Sequence, residues 1–315
     1  MRTKYDFLDI FMVQKVRIEI IGLRLPIVKE GDDIVRMIVD AANEQAGGVR
    51  DRDIIVITSK IVSKAMGYVV KLSDVKPSKY AVRLGKKLGM DPRFIQAVID
   101  NSDEILFVIP FLHFVRSGII DIEKISQDKR RAIEAARRIP YVFVVRRGKQ
   151  IYTDAGLDYS NNPNGFLSTL HRDVDAIARR IRKRIKELTG KNVAIVISDT
   201  EAWFPYGSLD FARGSSGIQV ISREFGNPDM YGRPKFGGAD IIVHEIASAA
   251  ALVMGQTSRG IPVAIIRGLD YNEAEEGVSD VHLSPQYLKE AIRRILVTSI
   301  RILGLGWLLR KMLKR

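Results

Sequence analysis

The chain has 315 residues, 46% hydrophobic and 28% charged, which excludes a disordered or fibrous protein and suits two packed subdomains. It has no cysteine and four histidines, none close together in sequence. Disulfides, thiolate metal sites, iron–sulfur clusters and a cysteine nucleophile are therefore excluded, and any metal is expected to be hard and oxygen-ligated. Fifty basic residues against 37 acidic ones give +13, a charge that either attracts polyanions or simply solvates helix faces.

The first fifteen residues mix acids and Lys15 with apolar residues, unlike a signal peptide. No apolar run approaches the roughly 20 residues that span a bilayer, so a cytoplasmic protein is expected. Zinc fingers and an RNA-recognition aromatic signature are missing, so no specific nucleic-acid partner is expected.

In chain order, Val16–Ile21 reads as a strand, followed by the turn-forming Leu25 and Pro26. Asp32 and Asp33 suit the N-terminus of a helix over Ile34–Ala42. Asp53–Ile57, Ile105–Pro110 and Tyr141–Val145 are short apolar strands, the last pairing with Gln150–Thr153 across a hairpin. A basic helix over Asp173–Leu188, carrying Arg179, Arg180, Arg182, Lys183, Arg184 and Lys186, stops at Gly190. It leads into Val193–Ile197, a buried strand ending at Ser198, Asp199 and Thr200. Ile241–Met254 reads as a buried helix, with His244 as a satisfied core histidine, and Val263–Ile266 as another strand. This mixture indicates an α/β or α+β fold.

From Gln286 onward, Leu288, Ile292, Ile295, Ser299 and Ile302 share one helical face, and Lys289, Arg293, Arg294, Arg301 and the final basic residues add positive charge. Such a helix either lies in a membrane interface or docks its apolar stripe on the core or on a second subunit. Gly304 and Gly306 weaken its continuation.

No G-x-x-x-x-G-K-[ST] phosphate loop is present. Ser59, Lys60 and Lys64 directly follow a strand, and the two lysines, four apart, share a face if a helix starts there. Two ammonium groups so placed embrace a triphosphate, or are merely solvated. A second constellation is acidic: Asp154, Asp158 and Asn161 lie in a turn-rich stretch, and Asp199 and Thr200 at a strand end. Carboxylate, hydroxyl and amide oxygens suit magnesium or manganese. The alternatives are a helix cap at Asp199-Thr200 and an Asx-turn at Asp158.

Ile57-Thr58-Ser59-Lys60-Ile61-Val62-Ser63-Lys64, Asp154-Ala155-Gly156-Leu157-Asp158-Tyr159-Ser160-Asn161 and Val196-Ile197-Ser198-Asp199-Thr200 resemble signature blocks of the coenzyme F420:L-glutamate ligases, or gamma-glutamyl ligases. The resemblance continues through Tyr231-Gly232-Arg233, Leu252-Val253-Met254-Gly255-Gln256 and Arg267-Gly268, in one order. It suggests a 16–284 ligase-like region between an extension over 1–15 and a basic helix over 285–315. What it implies is a two-part α/β protein forming an intertwined homodimer, with GTP and two divalent cations, Mg²⁺ or Mn²⁺, per site. Such a protein joins L-glutamate to an anionic carboxylate acceptor, F420-0 or a related metabolite, through an acyl phosphate.

Carried over by motif, Asp158 and Asp199 hold the first cation, and Thr200 and Gln256 the second. Leu25, Pro26, Ile27, Val28, Ser59, Lys60, Lys64, Asn161, Met254 and Gly255 contact the nucleotide. Asp154 is the candidate proton acceptor for the attacking amine, although the family usually has Asn there. After Thr200 the family continues with a Gly-Arg-Pro-Trp-Arg-like stretch; here Glu201-Ala202-Trp203-Phe204-Pro205-Tyr206 follows, without the arginines that suit anionic substrate groups. Trp203, Phe204 and Tyr206 either stack on a ring or belong to the core. The competing reading is a catalytically silent, nucleotide-binding relative acting as a regulatory or membrane-associated module.

Overall fold

A computed structural model describes residues 17–203, 207–256 and 258–306, without the side chain of Trp203. The N-terminal extension and the Trp203–Tyr206 aromatic side chains thus lie outside what is described. The elements alternate as expected of a mixed α/β chain. The first are β1 (Glu19–Leu23), α1 (Ile34–Ala46), β2 (Ile54–Thr58) and α2 (Ser59–Ala65). Then come β3 (Val69–Lys71), α3 (Lys79–Leu88), α4 (Pro92–Asp100), β4 (Glu104–Ile109), α5 (Phe111–Arg116), α6 (Ile122–Ile125) and α7 (Lys129–Arg138). The hairpin β5 (Val142–Arg147) and β6 (Gln150–Thr153) precedes β7 (Phe166–Ser168) and α8 (Val174–Thr189). The chain continues through β8 (Ala194–Trp203), β9 (Gly207–Ser216), α9 (Ile242–Met254), β10 (Val263–Arg267), α10 (Val278–Val281) and α11 (Pro285–Leu303).

Two compact units share these elements. The first takes the described residues of 1–68, 173–203 and 208–278, and the second those of 69–172, 204–207 and 279–315. The first is built on a five-stranded sheet in the order β1-β10-β2-β8-β9. Its strand β2 is a β-branched run in which Ile54, Ile55, Val56 and Ile57 are all fully buried. Successive fully buried residues require both faces of the strand to be covered; α9 packs on β2, and the paired α1 and α8 pack on its sheet neighbours β1 and β8. Each such isoleucine contributes about 1.5–3 kcal/mol of apolar burial.

Local signals explain the helix limits. Asp33 caps α1 by accepting from Arg36 N–H at 3.0 Å, and Gly47 ends it in the left-handed region. Asp173 and Gly190 do the same for α8. One expectation is corrected: the strand after Val193 does not end at Ser198–Thr200 but runs on to Trp203 beside β9. Asp199 and Thr200 are therefore mid-strand residues, and the helix-cap alternative is excluded.

The second unit contains an antiparallel β4-β5-β6 sheet, a β3–β7 pair, and packed α3–α4 and α5–α7 helices. Its core includes Ile95, Phe143, Val145 and Leu167. Helix α11 ends at Gly304, as its sequence suggests. None of its residues is fully buried, and Leu288, Ala291, Ser299 and Ile300 are half-buried, so its apolar stripe is only partly covered by the chain itself. Its tie to β4 is polar instead, with Lys289 Nζ 3.4 Å from Glu104.

Candidate functional site

Strand register gathers the site residues of the first unit. β2 and β8 run parallel with Thr58 opposite Ser198, so Ser59 and Asp199 emerge side by side. β10 is antiparallel to both neighbours, with Val263 opposite Ile57 and Leu23. The same sheet end therefore receives the loop after β1 and the turn before β10. Leu25 N–H donates to Gly260 O at 3.2 Å, and Thr58 N–H to Pro262 O at 2.9 Å, tying these segments together. Open α/β sheets place ligand-binding groups at such ends. Leu25–Val28, Ser59, Lys60, Lys64, Asp199, Thr200, Met254, Gly255 and Gln256 all belong to it.

Ser59 opens α2 and donates from Oγ to Asp199 Oδ1 at 2.8 Å. Ser59, Ile61, Val62, Ser63 and Ala65 are buried, leaving Lys60 and Lys64 as partly exposed neighbours one turn apart. Ile27 is 84% exposed while Val28 is buried, so the loop is anchored by one side chain and presents the other. Met254 is buried at the end of α9. Gly255 has φ 67°, and a Cβ there would come within 2.8 Å of Arg259 Cδ.

Alternation along β8 sends Asp199 and Thr200 to opposite faces, which accounts for two separate donor sets. Thr200 Oγ1 lies 2.7 Å from Asp210 Oδ1 and 2.9 Å from Gln256 Oε1. Gln256 Nε2 donates to the same Asp210 Oδ1 at 2.8 Å. One hydroxyl proton cannot serve two acceptors at once, so the cluster holds more oxygen lone pairs than protons. That excess, in hard oxygens, fits a divalent cation. Among the described residues no three His, Cys, Asp or Glu side chains are grouped to hold a metal. A cation here would take hydroxyl and amide oxygens besides carboxylates.

Asp210 was missed from sequence. It is a buried acid on β9 whose backbone carbonyl also accepts from Ser248 Oγ of α9 at 2.8 Å. Its only local signal is an acid beginning a strand stretch that is otherwise mostly small and buried. Glu201, the acid in place of the family's glycine, is tied to Arg213 of β9 in a buried ion pair. His244 is satisfied as expected: its Nδ1 accepts from Ala212 N–H at 3.2 Å, and its ring meets Phe211 edge-on.

Asp154, Asp158 and Asn161 belong to the second unit. Asp154 Oδ1 accepts from Phe143 N–H at 2.8 Å, fixing the 3₁₀ turn Asp154–Gly156 against β5. Asp158 pairs with Ser168 through both backbone groups, and its Oδ1 accepts from Ser160 N–H at 2.6 Å. The Asx-turn expected as an alternative at Asp158 is thus real. Asn161 sits at φ 56°. Burial, with the Asp91 and Asp154 carboxylates nearby, pushes the Tyr159 hydroxyl up to about 12; its ring stacks on Phe94. A separate hollow of about 310 Å³, lined by residues such as Tyr80, Leu84, Val108 and Tyr141, contains none of the predicted residues.

The mixed sheet with helices on its faces and a cluster of lysines and oxygen donors beside the β2–β8 pair defines an α/β protein. Residues 22–268 match the family described as F420-0:gamma-glutamyl ligase. Coenzyme F420:L-glutamate ligase of Methanothermobacter thermautotrophicus is 34% identical over 255 residues, 80% of this chain and 89% of that protein. The proteins of that name from Methanosarcina mazei and Archaeoglobus fulgidus are 34% and 32% identical over 249 and 284 residues. They cover 79% and 89% of this chain, and 84% and 98% of their own lengths. The chain belongs to the F420-0:gamma-glutamyl ligase family.

Proposed function

We propose that the protein is a GTP-dependent ligase that forms a gamma-glutamyl amide between L-glutamate and a carboxylate acceptor, F420-0 or a related metabolite. The observation that carries this reading is the joining of Ser59 to Asp199 beside Lys60 and Lys64, with the Thr200–Asp210–Gln256 cluster at the same sheet end. Lys60 and Lys64 bind the triphosphate as point charges. The loop Leu25–Val28 and the backbone at Met254 and Gly255 hold the remainder of the nucleotide. Asp199, Thr200 and Gln256 supply oxygens for divalent cations, Mg²⁺ or Mn²⁺, and Asp210 holds Thr200 and Gln256 in place. When bound, such cations neutralise charge on the transferred phosphoryl group.

A carboxylate is a poor electrophile, so phosphoryl transfer to it precedes attack by the glutamate amine. The amine must first lose a proton, and Asp154 is the assigned acceptor. The stretch Glu201-Ala202-Trp203-Phe204-Pro205-Tyr206 carries no arginine to meet anionic substrate groups, which favours an acceptor differing from F420-0 in its anionic groups.

The test supplies GTP or ATP, Mn²⁺, L-glutamate and F420-0 or other carboxylates, and measures phosphate release and product mass. Glutamate-dependent phosphate release with a product one glutamyl residue heavier is expected, and Asp199→Asn should abolish it. Nucleotide binding without glutamate-dependent turnover on any acceptor would overturn the ligase reading in favour of the silent module.

A further inference from the structure

We propose that α11 lies in the interfacial plane of an anionic lipid membrane and attaches the protein there peripherally. The helix is nineteen residues long and buries none of them. At helical spacing Leu288, Ala291, Ile292, Ile295, Leu296, Ile302 and Leu303 form one continuous apolar arc. Ile295 and Ile302 are 63% and 73% exposed. An apolar face this wide is costly to leave in water and marks an interaction surface.

The opposite arc is cationic. Lys289, Arg293, Arg294 and Arg301 lie on it with one acid, Glu290, which accepts from both Arg293 and Arg294 at 3.0 and 2.7 Å. Those arginines hold its carboxyl below the usual range, so it stays ionised. Residues 285–315 carry eight basic residues and one acid, a net +7 out of the chain's +13. Concentrated positive charge flanking an apolar arc is the pattern that binds anionic headgroups while burying apolar side chains at the acyl boundary.

A second copy of the chain is the competing occupant of the apolar arc; the concentration of cationic side chains beside that arc favours an anionic lipid surface over it. The segment lies beyond residues 22–268, which the family model matches. No described helix is long and apolar enough to cross a membrane; the contact is therefore with the surface.

The test is co-sedimentation of the full chain with phosphatidylcholine vesicles, and with vesicles containing equal parts of phosphatidylglycerol. Binding to the anionic vesicles alone, weakening as salt is added, is expected. Replacing Arg293, Arg294 and Arg301 together by Gln should lower partitioning roughly a hundredfold, and Ile295→Glu with Ile302→Glu should remove it. None of these side chains is buried, so circular dichroism and the unfolding midpoint should stay unchanged. No binding by the unsubstituted chain, or equal binding to both vesicles, overturns the proposal. So does conversion of a dimer to a monomer by the isoleucine changes with vesicle binding intact, which would assign the face to a second copy. Neither result touches nucleotide binding, so the ligase reading stands or falls separately.

Discussion

Replacing Asp210 by asparagine isolates the charge at the oxygen cluster. Thr200 Oγ1 and Gln256 Nε2 both bond Asp210 Oδ1, at 2.7 and 2.8 Å. Asparagine keeps an oxygen there and almost the same volume, so both bonds can persist. A hydrogen bond to a charged group is worth about 1.5–3 kcal/mol and a neutral one about 0.5–1.5 kcal/mol. Two such bonds together lose about 2 kcal/mol, equivalent to roughly thirtyfold in affinity at the proposed cation site. Loss of residues that orient metal ligands typically costs ~10–100-fold, which brackets that figure. Removing a buried charge also relieves its desolvation, so the cation-free protein should unfold at the same or a slightly higher temperature. Titration with Mn²⁺, followed by calorimetry or by the resonance of free Mn²⁺, reads the change. An isotherm identical to that of the unsubstituted chain would refute the assignment of Asp210.

Other perturbations test the frame. A Cβ on Gly214 would sit 2.5 Å from Val174 C and 2.8 Å from Asp175 N, backbone atoms that cannot swing away. Gly214→Ala should cost about 1–3 kcal/mol by overpacking, read as a lower unfolding midpoint, and an unchanged midpoint would count against this packing of β9 on α8. Asp53 is buried, and both its oxygens accept from Arg267 at 2.9 and 2.8 Å. Asp53→Asn leaves that guanidinium largely buried without its counter-charge, so urea titration should show a loss of about 3–5 kcal/mol. Asp103 is held below the usual carboxylate range by the Gly148 N–H, with Arg172 and Arg146 also lowering it. Its stabilisation is therefore complete above its unfolded value of 3.8 and is lost as pH falls through the lower folded value. Asp103→Asn should flatten the acid limb of stability against pH; an unaltered limb would contradict this.

Much of the fold was legible because its causes are local. Asp33, Gly47, Asp173 and Gly190 cap their helices through bonds to residues a few positions away, and β5–β6 closes a tight hairpin that its own turn residues announce. The apolar run Ile54–Ile57 of β2 identifies it as a central strand. Ser59, Lys60, Lys64, Asp199 and Thr200 were also visible, since each adjoins or ends an apolar run.

The sequence by itself thus determined the capped helices, the buried strands and the kinds of donor available. Only the tertiary structure decided which donors meet. Ser59 and Asp199 are 140 positions apart, and parallel register alone makes them neighbours. Asp210 became a candidate because β8 outruns β2 and continues beside β9, bringing Thr200 and Gln256 to its carboxylate. The exposed side of α11 was equally undecidable locally, since an amphipathic pattern states that a face is apolar but not what covers it. Caps, turns and periodicity act over a few residues, whereas register and burial depend on the whole sheet.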